Sequence, residues 1–95
     1  MKTRSTVYQI EKEMQWEPAG EGVTRQIMAY DGQIMLVKVK FETGAIGTPH
    51  THYHSQASYI VSGKFELTIG GEKKILEAGD GYYVEPDELH GAVCL

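Results

Sequence analysis

Histidines are concentrated in one short stretch of this chain. Three of the four, His50, His52 and His54, lie within five positions, and the fourth, His90, stands near the C-terminus. Neutral imidazole is the commonest ligand for a borderline transition metal. Side chains two apart along a strand point the same way, so His50 and His52 can reach one ion together. The stretch therefore predicts a metal site, to which the fold must return His90.

Two further residues of the stretch depend on a turn. His54 shares the parity of the pair but would lie roughly 13 Å from His50 along an extended strand, at ~3.3 Å per residue. Gln56 would lie farther still, so it can reach the metal only if the chain turns at residues 53–55. We expect that turn, and we interpret His54 as a surface residue that could contact a substrate.

Composition excludes several classes of protein. The chain has 95 residues, which fits one domain over residues 1–95, and a net charge of −4 with nine scattered basic residues. Nucleic-acid binding needs a clustered basic face, and a membrane helix needs ~20 apolar residues, so neither partner is expected. Cys94 is the only cysteine, and the N-terminus lacks the apolar run of a signal peptide. We therefore expect a cytoplasmic protein in a reducing compartment.

Short alternating strands are the main secondary-structure signal. Asp31-Gly32 separates two such runs and predicts a tight hairpin, because both turn residues can adopt positive φ. Residues 42–49 read as a loop, and residues 1–20 as an N-terminal arm or edge strand. The strand-like runs are 5–10, 23–30, 33–41, 59–62, 64–69, 72–76, 82–84 and 89–95. This spacing, without a convincing helix, predicts an all-β sandwich or barrel.

The histidine stretch resembles the first motif of the cupin family, G-x5-H-x-H-x3-4-E-x6-G, over residues 44–63. Gly44, His50, His52 and Gly63 fall in register, and Gln56 stands where the family has glutamate. The second cupin motif, G-x5-P-x-G-x2-H, resembles residues 79–90.

In that second motif Gly79 and His90 match, whereas Glu85 and Asp87 occupy the proline and glycine positions, with Pro86 shifted by one. Together the two motifs cover about half of the chain, and their separation is what a minimal cupin would show.

The resemblance implies a small antiparallel jelly-roll β-barrel, commonly a homodimer, with one divalent metal inside. It implies His50, His52, Gln56 and His90 as ligands, and Ni, Zn, Fe or Mn as the metal. A glutamine carbonyl is a neutral donor, so the metal would keep its full charge. That favours Lewis-acid chemistry over oxygen activation.

A glutamine at this position, together with the Gly79-Asp-Gly-Tyr-Tyr83 segment, is similar to the small pectin-degradation cupins, which help to open the ring of 4,5-unsaturated monouronates. That group places an Asp, a Phe and an Arg on a strand after the last histidine. Leu95 lies five residues after His90, so those positions are absent from this sequence and no catalytic residue is assigned. The expected last strand is also missing, so a partner chain, the N-terminal segment or a longer chain would cover the open edge.

Three functions follow as hypotheses. The first is a metal-dependent enzyme acting on a sugar acid, in which Arg25 could pair with the substrate carboxylate if its face lines the barrel. The second is a non-catalytic cupin that binds or senses a small ligand. The third is an iron dioxygenase, which the neutral Gln56 disfavours.

Overall fold

The computed structural model describes residues 3–95, and the strands of this part pair antiparallel in three sheets. The orders are β1-β2-β3, β4-β9-β6-β7 and β5-β8. The strands are β1 (Glu17–Gly20), β2 (Val23–Tyr30), β3 (Met35–Phe41), β4 (Ile46–His50), β5 (Gln56–Tyr59), β6 (Lys64–Ile69), β7 (Glu72–Glu77), β8 (Gly81–Val84) and β9 (His90–Cys94). The expected all-β antiparallel fold is confirmed. Of helical structure, residues 3–95 hold a single 3-10 turn at Glu11–Glu13, and no helix there is long and apolar enough to cross a membrane.

The predicted hairpin between β2 and β3 forms, but its turn differs from the expected one. The connection has four residues, 31–34, and neither Asp31 nor Gly32 has positive φ. Instead, Asp31 Oδ1 accepts the backbone N–H groups of Gln33 and Ile34 at 2.8 and 3.0 Å, which lowers the pKa of its carboxyl group. The side chain thus replaces the backbone conformation that a two-residue turn would need.

The N-terminal arm is not the edge strand that residues 5–10 suggested, and its first two residues lie outside the described part. Ser5 N donates to Tyr30 O at 2.8 Å, but the bonds from Thr6 Oγ1 and Gln9 Nε2 are local. Such local bonds compete with a strand ladder. Farther on, Glu11 pairs with Lys38, which lowers the pKa of the Glu11 carboxyl group.

One edge of the first sheet is instead β1, which contains Pro18. Proline is tolerated there because an edge strand does not need every N–H in its ladder. Similarly, β4 includes part of the expected loop, and a bulge between Gly47 and His50 accommodates Pro49.

The four-stranded sheet carries the histidines that are far apart in sequence. His90 of β9 lies directly opposite His50 of β4 and opposite Ile69 of β6. The two glycines of the hairpin between β6 and β7, Gly70 and Gly71, have φ of 58° and 83°, as a tight two-residue turn requires. The pairing of β9 with β4 therefore brings His90 next to the histidine stretch.

The core lies between the sheets, where the rings of Phe41 and Phe65 meet edge to face at 5.2 Å. The expected buried strand at 59–62 is wrong in its bounds, because β5 ends at Tyr59 and Val61 is 81% exposed. On β3 and the turn before it, exposure does not follow strand alternation, because Met35 and Val39 are exposed as well as Ile34 and Leu36. The buried apolar side chains are Val23, Ile60, Leu67, Val84 and Cys94.

Candidate metal centre

Three histidines converge at one end of the four-stranded sheet. One ring nitrogen from each of His50, His52 and His90 lies within 4.8 Å of the others. The ring centroids of His50 and His90 are 4.4 Å apart, as expected for cross-strand neighbours. His52 lies beyond the end of β4, so its side chain arrives from a loop rather than by strand alternation. This spacing suits imidazoles that share one ion.

Backbone carbonyl groups fix the orientation of all three rings. The Nδ1 atoms of His50, His52 and His90 lie 2.9, 2.8 and 2.9 Å from the carbonyl oxygens of Thr48, His54 and Glu88. A carbonyl oxygen only accepts, so each Nδ1 carries the proton. In the neutral rings the lone pair is therefore on Nε2. Metal-binding histidines are held by the same kind of bond.

The Nε2 atoms of His90 and His52 lack the donor that the lone pair of a neutral ring would need. Among residues 3–95, Nε2 of His90 finds no hydrogen-bond partner, although His90 is only 5% exposed. Nε2 of His52 faces Gln56 Oε1 at 2.9 Å, and an amide oxygen is also an acceptor. Buried lone pairs pointing at one another are unfavourable unless a cation lies among them. The donor set therefore fits a divalent transition metal.

Gln56 reaches this cluster as the first residue of β5, after the bend at 53–54 that the sequence required. Its Nε2 donates to Ser58 Oγ at 2.9 Å. His54 is exposed, with its ring beside that of Tyr53 and its carbonyl oxygen on His52. The structure thus brings together His50, His52, His90 and Gln56, and it places the His54 ring outside the cluster; ligand roles remain predictions.

Arg25 lies on β2 of the first sheet, whereas His50 and His90 lie on the four-stranded sheet. Its Nε donates to Glu17 Oε1 at 2.8 Å, across the register pair that joins β1 and β2. Both side chains are nearly half exposed. Within residues 3–95, the terminal guanidinium nitrogens of Arg25 have no hydrogen-bonded partner. A substrate-binding role for Arg25 remains a prediction.

Sequence reasoning missed Ser58 and the three carbonyl groups that orient the rings. Ser58 could have been found, because it stands two residues after Gln56 in a strand and so shares its face. The carbonyl groups leave no residue-type signal, since every residue has one.

Comparison with known proteins places this geometry among cupins. The profile of the cupin domain family matches residues 37–95. The pectin degradation protein KdgF of Dickeya dadantii (strain 3937) is 46% identical over 89 residues, which cover 93% of this chain and 81% of that protein.

Two solved structures are similar over almost the whole chain. An RmlC-like cupin from Shewanella frigidimarina NCIMB 400 is 39% identical with a TM-score of 0.94, covering 98% of this chain and 84% of that one. KdgF from Halomonas sp. is 39% identical with a TM-score of 0.88, covering 96% and 84%. The resemblance drawn from the two motifs is therefore confirmed, and this chain is a homologue of KdgF.

Proposed function

The chain belongs to the cupin family, and we propose that it is a metal-dependent enzyme of pectin degradation. The enzyme would help to open the ring of a 4,5-unsaturated monouronate, which gives a linear keto sugar. The homology to KdgF supports the pathway, and the sequence resemblance to the small pectin-degradation cupins suggests the reaction. The residues bearing the site lie in a single cupin domain, taken as residues 1–95.

The observation that carries this proposal is the convergence of His50, His52 and His90 beside Gln56 Oε1, with the buried Nε2 of His90 unpartnered within residues 3–95. His50, His52, His90 and Gln56 would hold one divalent ion, with Ni, Zn, Fe and Mn as candidates. When bound, such an ion supplies a Lewis acid that polarises a substrate oxygen.

The chain's own residues determine how strongly that Lewis acid acts. The three imidazoles and the amide are all neutral donors, so the ligand set adds no negative charge at the site. A glutamate in place of Gln56 would add one. The neutral set supports polarisation of a sugar oxygen and makes iron-dependent oxygen activation the less favoured chemistry.

Arg25 and His54 are proposed to contact the sugar acid. The terminal nitrogens of Arg25 can donate two parallel hydrogen bonds to a carboxylate while Nε keeps its bond to Glu17. The His54 ring is exposed and lies outside the metal cluster, so it is available to a substrate hydroxyl group. Neither side chain is proposed as a metal ligand.

A cytoplasmic homodimer is the proposed form of the protein. Ile34 and Leu36 are 71% and 55% exposed on neighbouring positions, and burying such apolar surface between two copies would be favourable. The lone Cys94 is buried and unpaired, as suits a reducing compartment.

The experiment combines metal analysis with a spectroscopic assay. Purified protein is analysed for bound metal, loaded with each candidate ion, and mixed with a 4,5-unsaturated monouronate, whose ultraviolet absorbance falls as the double bond is lost. We expect faster loss than the uncatalysed rate, abolished by His50→Ala. His54→Ala should keep the metal but raise KM for the uronate.

Other outcomes contradict the proposal in separable ways. Metal-loaded protein that leaves the absorbance at its uncatalysed rate is not a uronate enzyme, and a non-catalytic ligand-binding cupin then explains the site. Protein that stays metal-free after incubation with all four ions refutes the metal centre itself. Oxygen uptake with iron would instead indicate a dioxygenase.

A further inference from the structure

The two ends of the Gln56 amide have different surroundings. Its oxygen, Oε1, faces Nε2 of His52 at 2.9 Å, and its nitrogen, Nε2, donates to Ser58 Oγ at 2.9 Å. Both Gln56 and Ser58 are partly buried, so water has limited access to either end of the amide. The hydrogen bond to Ser58 therefore favours the orientation in which Oε1 of Gln56 faces the histidines.

That choice decides whether Gln56 can be a ligand at all. An amide oxygen has lone pairs to give a metal, whereas the NH2 group offers only donors. A half-turn about the last side-chain bond would exchange the two and leave three imidazoles without an oxygen ligand. With Oε1 directed at the histidines, the NH2 group points away from them and needs an acceptor.

Ser58 supplies that acceptor because of its place in β5. Residues two apart in a strand share a face, so Ser58 lies beside Gln56 with its hydroxyl in reach. The pairing of Ser58 with Tyr82 in β8 fixes its backbone in the sheet. The acceptor is thus held by regular structure, whereas the segment that bears His52 is a loop.

We propose that Ser58 is a positioning residue of the metal centre, whose hydroxyl oxygen accepts the amide N–H of Gln56 and holds Oε1 toward His50, His52 and His90. This inference rests on the proposed metal site and adds the residue that gives it an oxygen ligand. Removing the partners that orient metal ligands typically weakens metal binding 10–100-fold.

The role predicts a change in metal preference as well as in affinity. Carbonyl oxygen suits Mn²⁺, while imidazole alone suits Zn²⁺ well. Ser58→Ala should therefore weaken Mn²⁺ binding about 10-fold and Zn²⁺ binding less, because the three imidazoles remain. A general loosening of the fold would weaken both ions alike, so the ratio of the two affinities separates positioning from a structural effect.

The test is calorimetric titration of metal-free protein with Mn²⁺ and with Zn²⁺. Ser58→Thr keeps the hydroxyl and should bind both ions as the wild type does, and Ser62→Ala, an exposed serine in the next turn, is the matched control. In a Gln56→Ala background, Ser58→Ala should cause no further loss, since the residue it positions is gone. Thermal unfolding in chelator checks that each variant is folded.

Four results would overturn the inference. One is Ser58→Ala protein that binds Mn²⁺ as tightly as the wild type. Another is an equal loss for Mn²⁺ and Zn²⁺, or the same loss in the Gln56→Ala background, since either means that Ser58 does not act through Gln56. Wild-type protein that binds neither ion removes the metal site, and the role of Ser58 with it; this outcome is distinguishable because no variant is needed to see it.

Discussion

In the absence of metal, the His90→Leu variant should be more stable than the wild type. In the presence of metal, it should be less stable than the wild type. His90 is 5% exposed, and no described residue supplies a hydrogen-bond partner for its Nε2. An unsatisfied buried polar atom costs ~1–3 kcal/mol, and the Nδ1–H bond to Glu88 O that leucine also removes is worth about 1 kcal/mol. Leucine is of similar size and would pack beside Ile69, its neighbour in the register. The balance favours the variant by about 0–2 kcal/mol in chelator.

Metal should reverse this order. At 100 times its dissociation constant, a metal that binds only the folded state stabilises it by about 2.7 kcal/mol. For a domain of this size that raises the Tm of the wild type by roughly 10–20 °C. The variant has lost one of four proposed ligands and should gain much less.

Urea unfolding at about pH 8, where unperturbed imidazoles are neutral, measures both states. Each protein is unfolded once with chelator and once with Zn²⁺, and His54→Leu serves as a control that keeps the cluster and should follow the wild type. The reasoning is refuted if His90→Leu is less stable than the wild type in chelator by more than 1 kcal/mol, on the order of one hydrogen bond. It is also refuted if Zn²⁺ stabilises both proteins equally.

Three further predictions concern Gln56, Arg25 and Asp31. Gln56→Glu should tighten Mn²⁺ binding yet slow the loss of uronate absorbance, because a carboxylate adds charge to the site and weakens its Lewis acidity; an unchanged rate with tighter binding would contradict this. Arg25→Ala should raise KM for the uronate at least 10-fold, by loss of a paired carboxylate contact, with kcat little changed and Arg25→Lys intermediate; an effect on kcat alone would argue against carboxylate binding. Asp31→Ala should lower the Tm at neutral pH, because the pKa of Asp31 is lower in the folded state, so its carboxylate stabilises the fold above the pKa of the unfolded state. The difference in Tm should fade as the pH falls through the lowered pKa of the folded state. A difference in Tm that persists in acid would contradict this prediction.

The parts of the fold predicted from sequence are those set by side-chain alternation. β2 and β6 begin and end at the predicted residues. β6 alternates cleanly, and an aspartate or glycine follows each strand. The Asp31 turn and the arm at 5–10 were predicted wrongly, since in both a polar side chain bonds the local backbone, and residue type alone does not say which partner it takes.

The candidate site, like the fold, was predicted only in part. The motif spacing pointed to His50, His52, Gln56 and His90, and the required turn at 53–55 followed from distance along an extended chain. Strand alternation was the wrong reason for joining His52 to His50, because β4 ends at His50. The orientation of the rings could not be foreseen, since it depends on the carbonyl groups of Thr48, His54 and Glu88 rather than on side-chain type.

The departure of His52 from the strand explains how four donors reach one point. In a regular strand, Gln56 would lie roughly 20 Å from His50, at ~3.3 Å per residue, which is too far for its amide to join the rings on one ion. The chain therefore leaves β4 after His50, bends, and re-enters regular structure at Gln56 in a different sheet. An ion held by His50, His90 and Gln56 would link the four-stranded sheet to the β5–β8 pair, which lack a shared backbone ladder. In a domain with a small core, metal binding and folding stability would thus depend on the same contacts.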